Sequence, residues 1–424
     1  MPRNQNTTKV RGFAGLVNTV SPEELTGANR AQFPLLEGEN VYLTNARRLK
    51  SRPGYVLQTA GSHHSLWSSG DMALVVRDQS LIALDRSLNE TVLRSDLTRR
   101  SPMQFVQGAG GTVYYINEAG ERGSYSVATG HQPWGLQPLL PAALIQTAGS
   151  LPTGVYRIAT TQRLASGEES GVEDYAMITL SSRAGIDVAI PPVDPNAATV
   201  SVYCSLADSE TLYEVAQVST GTASVVIRNT VDFGRPLQTL DVVAPFPGTQ
   251  VGYHKGRMLI ADGPYLFYTD PFSPSWFRMN QFFAFADDIS LVAPVDNGIY
   301  VSADRTYFLQ GNDPETMNQD VVSDAKAVKG TLQYLLPGEM PEINQEHAVW
   351  LSDRGFILGA PGGVVQHMTE ADFTFAVSEL GTLGKVKQDG VTTLVGLMKS
   401  PTDEDNNFGM TDRVSVEIVR NSVV

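Results

Sequence analysis

One phrase of sequence recurs along the chain and limits the folds that it can adopt. In its clearest copy, Val251–Asp270 (VGYHKGRMLIADGPYLFYTD), apolar β-forming runs are separated by the turn dipeptides Lys255-Gly256 and Gly263-Pro264. Short apolar runs bounded by such turns predict antiparallel strands. Five further copies occupy residues 64–85, 103–127, 290–311, 347–369 and, in a weaker form, 384–399.

The spacing of the copies indicates a β-propeller. The central turns lie 40 residues apart between Asp71 and Gly111, and 42 apart between Gly256 and Gly298, while the later steps are 57 and 35. Repeats of about 40–50 residues with roughly four short strands each are typical of propeller blades. Six copies predict about six blades, with a loop excursion at Asp313–Glu346 inside the longest of these steps.

The step from Gly111 to Gly256 spans 145 residues and indicates an insertion. Removing the 107 residues Pro141–Pro247 leaves one ordinary period of 38. Inside the insertion, about seven short strands follow one another between turns, a pattern typical of an immunoglobulin or fibronectin-type sandwich. The predicted fold is therefore all-β: a β-propeller of about six blades with an inserted Ig/fibronectin-type β-sandwich. The predicted domains are an N-terminal arm (1–39), a first propeller part (40–140), the sandwich (141–247) and a second propeller part (248–424).

The chain ends are expected to complete the propeller. Val414–Val419 is rich in β-forming residues. We expect it, or Tyr55–Leu57, to complete a blade begun at the opposite terminus. In the arm, Val10–Val17 predicts a short strand, and Ser21-Pro22 has the cap and first-turn residues of a short helix.

Composition restricts the classes of function. The net charge is −14, which disfavours a protein that holds nucleic acid by its phosphates but is compatible with a wall past which nucleic acid slides. Cys204 is the one cysteine, so no intrachain disulfide can form, and we expect it to be a small buried side chain. No apolar run approaches the length of a membrane span.

Residues able to do chemistry do not form a catalytic or cofactor pattern. Of the six histidines only His63 and His64 adjoin, and neighbours on a strand point to opposite faces, which suits a metal poorly. We find no phosphate-binding loop and no nucleophile elbow. Glu168-Glu169 and Asp287-Asp288 are paired carboxylates, but such pairs are common in an acidic chain. We therefore expect no enzyme activity, no cofactor and no metal.

The best metal candidate is Asp403, Asp405 and Asn407, whose spacing resembles the start of a calcium loop. The pattern then fails, because Gly409 comes one place late and Val414 stands where the bidentate glutamate belongs. A solvated acidic loop is the preferred interpretation.

Two acidic loops and one basic turn are the candidate functional residues. The acidic residues, expected to face a channel, are Asp287, Asp288, Asp403, Glu404 and Asp405. The densest basic cluster of the chain, either a solvated turn or a contact with an acidic neighbouring subunit, comprises Arg47, Arg48, Lys50 and Arg52.

Five segments in order give the chain a family resemblance. They are LTNARRLKSRPGY, HSLWSSGDMALVVRD, GRMLIADGPYLFYTDP, APVDNGIYVSADRTYFLQGNDPE and AVWLSDRGFILGAPGG, spread over about residues 40–370. In this order they resemble the tail nozzle, or hub, proteins of short-tailed bacteriophages, also called tail accessory or DNA-stabilisation proteins. The chain departs from that family in lacking an obvious large C-terminal extension, so the resemblance does not say which end of the tail it contacts.

The resemblance implies a structural virion protein that is assembled in the host cytoplasm. Copies of the chain would form a ring, which we expect to be hexameric, below the portal and adaptor proteins. This ring would continue and help to close the DNA channel, serve DNA retention and ejection, and contact tail fibres or other tail proteins. DNA would pass through without specific binding.

Two other functions stay open at the level of sequence. A sugar-binding propeller that recognises a receptor would need exposed aromatic residues at equivalent places in each blade, and Trp67 and Trp350 lie at similar positions of their copies. Their apolar neighbours favour core packing instead. A glycan-processing enzyme is the second alternative.

Overall fold

The computed structural model describes most of the chain from residue 58 to residue 398 and shorter pieces outside it. The described residues are 13–17, 19, 21, 33–36, 38, 41–44, 46, 48–51, 58–70, 72–230, 233–340, 343–369, 379–388, 391–398 and 414–419. They belong to two compact units, one comprising Gly61–Ala284 and the other Met1–Ala60 with Phe285–Val424. Two single-turn 3-10 helices, Ala109–Gly111 and Pro314–Thr316, are the described helices; the rest of the regular structure is β.

The first unit contains three four-stranded antiparallel sheets, each a simple up-and-down meander. Sheet 1 is formed by β5 (His63–Ser69), β6 (Met72–Arg77), β7 (Ser80–Asp85) and β8 (Glu90–Arg94). Sheet 2 is formed by β9 (Gln104–Gln107), β10 (Val113–Ile116), β11 (Arg122–Ser126) and β12 (Gly130–Gln132). Sheet 3 is formed by β20 (Gln250–His254), β21 (Arg257–Asp262), β22 (Tyr265–Thr269) and β23 (Phe277–Ala284). The first strands of sheets 2 and 3 are neighbours.

The sandwich lies in the connection between sheets 2 and 3. One of its sheets has three strands, β13 (Leu144–Leu151), β16 (Ala184–Ala189) and β19 (Ser224–Ile227). The other has four, β14 (Gly154–Arg163), β15 (Ala176–Leu180), β17 (Thr199–Ser205) and β18 (Leu212–Ser219). Alternate residues point inwards, as in Ile186 and Val188, and form a core with Tyr156 and Val202. Cys204 is fully buried in this core, as expected.

The second unit repeats the meander. Sheet 4 is β24 (Leu291–Val295), β25 (Gly298–Ser302), β26 (Thr306–Gln310) and β27 (Asn318–Ser323). Sheet 5 is β28 (Gln333–Leu335), β29 (His347–Ser352), β30 (Gly355–Gly359) and β31 (Val365–His367). Sheet 6 has three described strands, β32 (Gly381–Gln388), β33 (Val391–Met398) and β34 (Val414–Val419). The N-terminal part adds the parallel pair β1 (Phe13–Leu16) and β2 (Phe33–Leu35), and the hairpin β3 (Val41–Leu43) and β4 (Leu49–Ser51).

Neighbouring sheets of one unit share apolar cores. Leu74 and Leu81 of sheet 1 pack with Val113 and Tyr115 of sheet 2. In the second unit, a core that includes Tyr300 and Trp350 joins sheets 4 and 5. Faces that are apolar on both sides need such partners, which explains the near-continuous apolar runs of the central strands. The chain is thus all-β and of the propeller class, with an inserted Ig/fibronectin-type sandwich.

The turns follow from the residues that the sequence places there. Lys255 and Gly256, between β20 and β21, both have positive φ, at 45° and 89°. Two successive residues with positive φ make the tight hairpin turn whose twist matches that of the strands, and glycine accepts this conformation without strain.

The repeat is more regular than the turn count indicates. First strands begin at residues 63 and 104, then at 250, 291, 333 and 381, so the regular steps are 41 or 42 residues and the last is 48. The predicted turn at Arg354-Gly355 joins the second and third strands of sheet 5, whereas the turns counted elsewhere join first and second strands. That wrong equivalence produced the 57-residue step. The expected excursion is the connection between β28 and β29, residues 336–346.

At the chain ends, Val414–Val419 forms β34, which pairs antiparallel with β33. The neighbour of β34 from the N-terminal part is β3. Tyr55–Leu57, the alternative partner, lies outside the described residues, as does the helix expected after Ser21. The expected strand at residues 10–17 is the shorter β1. The boundaries predicted for the domains stay predictions.

Candidate functional site

Asp287 and Asp288 lie in the connection that precedes β24, and both are exposed. Asp287 Oδ2 forms an ion pair with Lys326 Nζ at 2.8 Å, and Asp287 Oδ1 accepts the Asp288 backbone N–H. The bond from Lys326, followed by that backbone bond, lowers the pKa of the Asp287 carboxyl. Asp287 is therefore a compensated charge, while Asp288 adds negative charge to the loop.

Around Asp287, the loops of sheets 4 and 5 form a charged surface, which we call the charged loop face. Its members are Asp287, Asp288, Asp304, Arg305, Asp324, Lys326, Asp353 and Arg354. Direct contacts connect them: Lys326 N–H donates to Asp353 Oδ1, and Arg305 lies near both Asp304 and Asp324. Five carboxylates against three cations leave a small negative excess on this face.

The basic turn is a hairpin in the described part of the N-terminal segment. Arg48 is exposed, and its backbone N–H donates to Thr44 Oγ1 at 3.2 Å. Lys50 lies on β4, where all three residues are exposed, with Nζ 5.8 Å from the centre of the Tyr42 ring. The hairpin therefore presents cations to solvent. Arg47, Arg52 and the acidic residues Asp403, Glu404 and Asp405 lie outside the described residues.

The most elaborate polar cluster lies on the sandwich, and we call it the arginine–glutamate cluster. Glu169 Oε2 is 3.0 Å from Arg163 Nη2, and Glu169 Oε1 accepts the Tyr203 hydroxyl at 2.7 Å. Arg235 Nε donates to Glu214 Oε2 at 2.9 Å, and Arg163 Nη2 lies 3.5 Å from Glu214 Oε1. The Glu169 and Arg163 side chains are only 9% and 11% exposed. Two buried carboxylates are thus balanced by two guanidinium groups, which burial requires.

Tryptophans attach this cluster to sheet 3. The Trp276 indole N–H donates to the Glu169 carbonyl at 2.9 Å, and that of Trp134 donates to the Pro274 carbonyl at 2.9 Å. Val243 and Phe277 exchange backbone hydrogen bonds, and the Arg278 guanidinium donates to the carbonyls of residues 238 and 240. The sandwich is therefore joined to its host sheet by main-chain, indole and arginine contacts. We call this contact region the joint.

Glu168 points into the joint while Glu169 belongs to the cluster. Glu168 is half-buried, its Oε1 atom is shielded from solvent, and that atom has no hydrogen-bond partner in the described structure. Burial raises the pKa of its carboxyl, against a smaller opposing effect of the Ser275 hydroxyl. Two adjacent carboxylates thus have different surroundings, one ion-paired and one not.

A small cleft opens beside the cluster. It has a volume of about 90 Å³ and is lined by Gly167, Glu169, Tyr203, Arg235, Pro236, Gln238 and Trp276. Pockets for small organic ligands measure about 300–1,000 Å³. This cleft has room for a few water molecules, since a water takes about 30 Å³ of the liquid.

The tryptophans that suggested a sugar site are core residues in different positions. Trp350 is fully buried on β29, the second strand of its sheet, and contacts Tyr300. Trp67 lies on β5, a first strand, and packs against the core of sheets 1 and 2. They are therefore not equivalent. Within the described ranges, no group of three metal-ligating side chains occurs, and no helix has the length and apolar character to span a bilayer.

The arginine–glutamate cluster and the joint were not found by sequence reasoning. Trp276 and Glu169 are 107 positions apart, so no local pattern links them. The available signal was the charge pattern of β14 and its turn, where Arg163 and Glu169 interrupt an otherwise apolar strand pair.

Comparisons with known proteins leave the family open. No protein-family model matches the chain, and no curated protein sequence matches it. Among solved structures, a chain of the BBS1N–ARL6DN complex is similar at 10% identity, over 86% of this chain and 94% of that one, with a TM-score of 0.33. Hsv2p of Kluyveromyces lactis is similar at 8% identity, over 85% and 97%, with a TM-score of 0.28. The designed protein Ika8 is similar at 12% identity, over 79% and 93%, with a TM-score of 0.26. Scores this low carry no argument about this chain.

Proposed function

We propose that the chain is a non-enzymatic structural subunit of the tail of a short-tailed bacteriophage. Copies assemble into a hexameric ring, the nozzle or hub, below the portal and adaptor, and contact tail fibres or other tail proteins. The ring continues and helps to close the DNA channel, and DNA passes through it without specific binding. The proposal combines the ordered sequence resemblance with the architecture of the described residues.

The observation that carries the proposal is the fixed attachment of the sandwich. An inserted module on a flexible tether would move relative to its host, as is the default for domains joined by small polar interfaces. Here Trp276, Trp134 and Arg278 bind backbone carbonyls across the joint, and the buried cluster stiffens the sandwich beside it. A ring subunit must pass load between its neighbours without bending, and this attachment supports that role.

The charged loop face supports a wall that does not retain DNA. Its small excess of carboxylates repels phosphate, while Lys326 and Arg305 are each held close to aspartates. Proteins that bind nucleic acid without sequence preference do so by releasing counterions from phosphates with free lysine and arginine side chains. In our proposal this face lines the channel, and the exposed hairpin with Arg48 and Lys50 contacts a neighbouring subunit.

Oligomeric state is the direct test of the proposal. Mass photometry of the purified chain should show a closed ring of about 275 kDa, six times the 45.9 kDa chain. A strictly monomeric protein at micromolar concentration would contradict the ring. Replacing Arg48 and Lys50 by glutamate should lower the ring fraction, whereas the same exchange at exposed Arg183 serves as a matched control.

A sugar-binding or glycan-processing propeller is the alternative, and no described observation favours it. The burial of Trp350 removes one of the two tryptophans that suggested a lectin. Binding on a glycan array, or turnover of capsule or cell-wall polymers, would replace our proposal with this one.

A further inference from the structure

The joint between the sandwich and sheet 3 contains a carboxyl group without an ionic partner. Glu168 follows a tight turn in which Gly167 N–H donates to the Leu164 carbonyl and Leu164 N–H donates to the Glu168 carbonyl, both at 2.9 Å. This turn fixes the direction in which Glu168 enters the joint. The next residue, Glu169, is held on one side by the cluster and on its carbonyl by the Trp276 indole. Neither end of this short segment can rotate to take Glu168 into water while the joint is closed.

The surroundings of Glu168 oppose a negative charge. Ser275, in the connection between β22 and β23, is a buried hydroxyl neighbour. Tyr114, on β10, is close enough for its ionisation to be disfavoured by Glu168, and Tyr253 of β20 acts on Tyr114 in the same sense. Neither tyrosine carries a positive charge that could offset a carboxylate.

The cations near the joint are engaged elsewhere. Arg163 and Arg235 pair with Glu169 and Glu214. Arg122, buried in the same region, donates to the Trp134 carbonyl. In the described structure, no lysine or arginine forms an ion pair with Glu168. A buried carboxylate without a partner is costly, so the charged form is avoided either by protonation or by exposure to water.

We propose that Glu168 is a pH-dependent latch of the joint: with its proton the carboxyl lets the joint close, and on losing that proton it loosens the sandwich locally from sheet 3. The opening exposes the segment around residues 164–172 and the connection 270–276. The sandwich core and the meander strands remain folded. This device is independent of the proposed tail function, since it concerns one joint within the first unit.

The direction of the effect follows from proton linkage. The closed state binds the Glu168 proton more tightly than the open state, because burial raises the pKa of this carboxyl. Between the ordinary pKa of a glutamate and the raised value, the closed state therefore holds more protons and loses stability as pH rises. The opening equilibrium can grow by at most about tenfold for each pH unit in that window, because one proton is involved.

Hydrogen exchange measured by mass spectrometry tests the latch on the full-length chain. Wild type should lose protection in peptides covering residues 164–172 and 270–284 as pH rises from 5 to 8, after correction for the intrinsic pH dependence of exchange. Glu168→Gln, which keeps the shape without the charge, should hold its protection across that range. Glu173→Gln is the matched control at an exposed glutamate of the same segment and should follow wild type.

Three results would overturn the proposal. The first is pH-independent protection of the joint in wild type, which needs no variant to be folded. The second is an identical pH profile in Glu168→Gln. The third is a parallel loss of protection in β17 and β21, which would show global rather than local opening.

Discussion

Removing the charge of Glu169 is the sharpest test of what stiffens the sandwich. In Glu169→Gln the side chain keeps its size, but its amide presents N–H groups or a neutral oxygen to two guanidinium groups. Arg163 at 3.0 Å then loses its carboxylate, and Arg235 loses a weaker contact at 3.6 Å. The cluster is left with two cations and one carboxylate.

The cost can be placed from burial and from the bonds lost. Breaking a buried ion pair by removing one partner costs about 3–5 kcal/mol. Arg163 and Glu169 are 11% and 9% exposed, so this range applies to them, whereas Arg235 is 53% exposed and solvent relieves its loss. We therefore expect about 3 kcal/mol of destabilisation, near the lower end. The exposed control Glu173→Gln should stay within about 0.5 kcal/mol of wild type.

A double-mutant cycle separates the ion pair from the rest of the cluster. Arg163→Met alone leaves one cation and two carboxylates, and we again expect a loss of about 3 kcal/mol. The double variant retains the balanced pair of Glu214 and Arg235, so its loss should fall about 2–3 kcal/mol short of the sum. Urea unfolding followed by tryptophan fluorescence measures each value. Strict additivity, or a Glu169→Gln midpoint equal to the control, would refute our account of the cluster.

Three further predictions concern larger parts of the chain. Deleting Pro141–Pro247 and joining the ends should leave cooperative thermal unfolding by circular dichroism, because a Cβ on Gly135 would lie 2.7 Å from Pro245 and so the entry and exit strands are close together; loss of all cooperativity would contradict the insertion. Truncation after Lys399 removes β34 and should cost several kcal/mol, because β33 becomes an open edge; an unchanged melting temperature would show that β34 is dispensable. The intact protein should show no DNA binding at moderate salt, where a basic binder reaches about 10⁻⁴–10⁻⁶ M, and lysines at positions 403–405 should slow ejection without preventing ring assembly; tight, salt-dependent DNA binding by wild type would refute the channel role.

Local pattern was sufficient for the strands but not for their equivalence. Runs between Gly and Pro turns predicted the meander, and Ala176–Leu180 and Ser224–Ile227 were predicted with the bounds that the structure has. The turn at Arg354-Gly355 was assigned to the wrong pair of strands, because every turn of an antiparallel meander has similar residues. The repeat was therefore recognised while its phase in sheet 5 was not.

Sites made by distant residues were beyond the reach of sequence patterns. Asp287 was predicted as an exposed acid, which it is, but its partner Lys326 is 39 positions away. The pairing turns a repulsive charge into a compensated one. The joint depends on an indole that meets a backbone carbonyl, and backbone acceptors carry no residue signature at all.

The position of the sandwich also sets the order in which the chain can fold during synthesis. Between Gln132, the end of sheet 2, and Gln250, the start of sheet 3, lie 117 residues. At about 5–20 residues per second the ribosome takes about 6–23 s to make them. Throughout that interval the apolar side of sheet 2 around Ile116 lacks Val251 and Met258, its later neighbours. A nascent chain of this protein thus carries an uncovered sheet while the sandwich is being made, and that sheet is covered only when sheet 3 emerges.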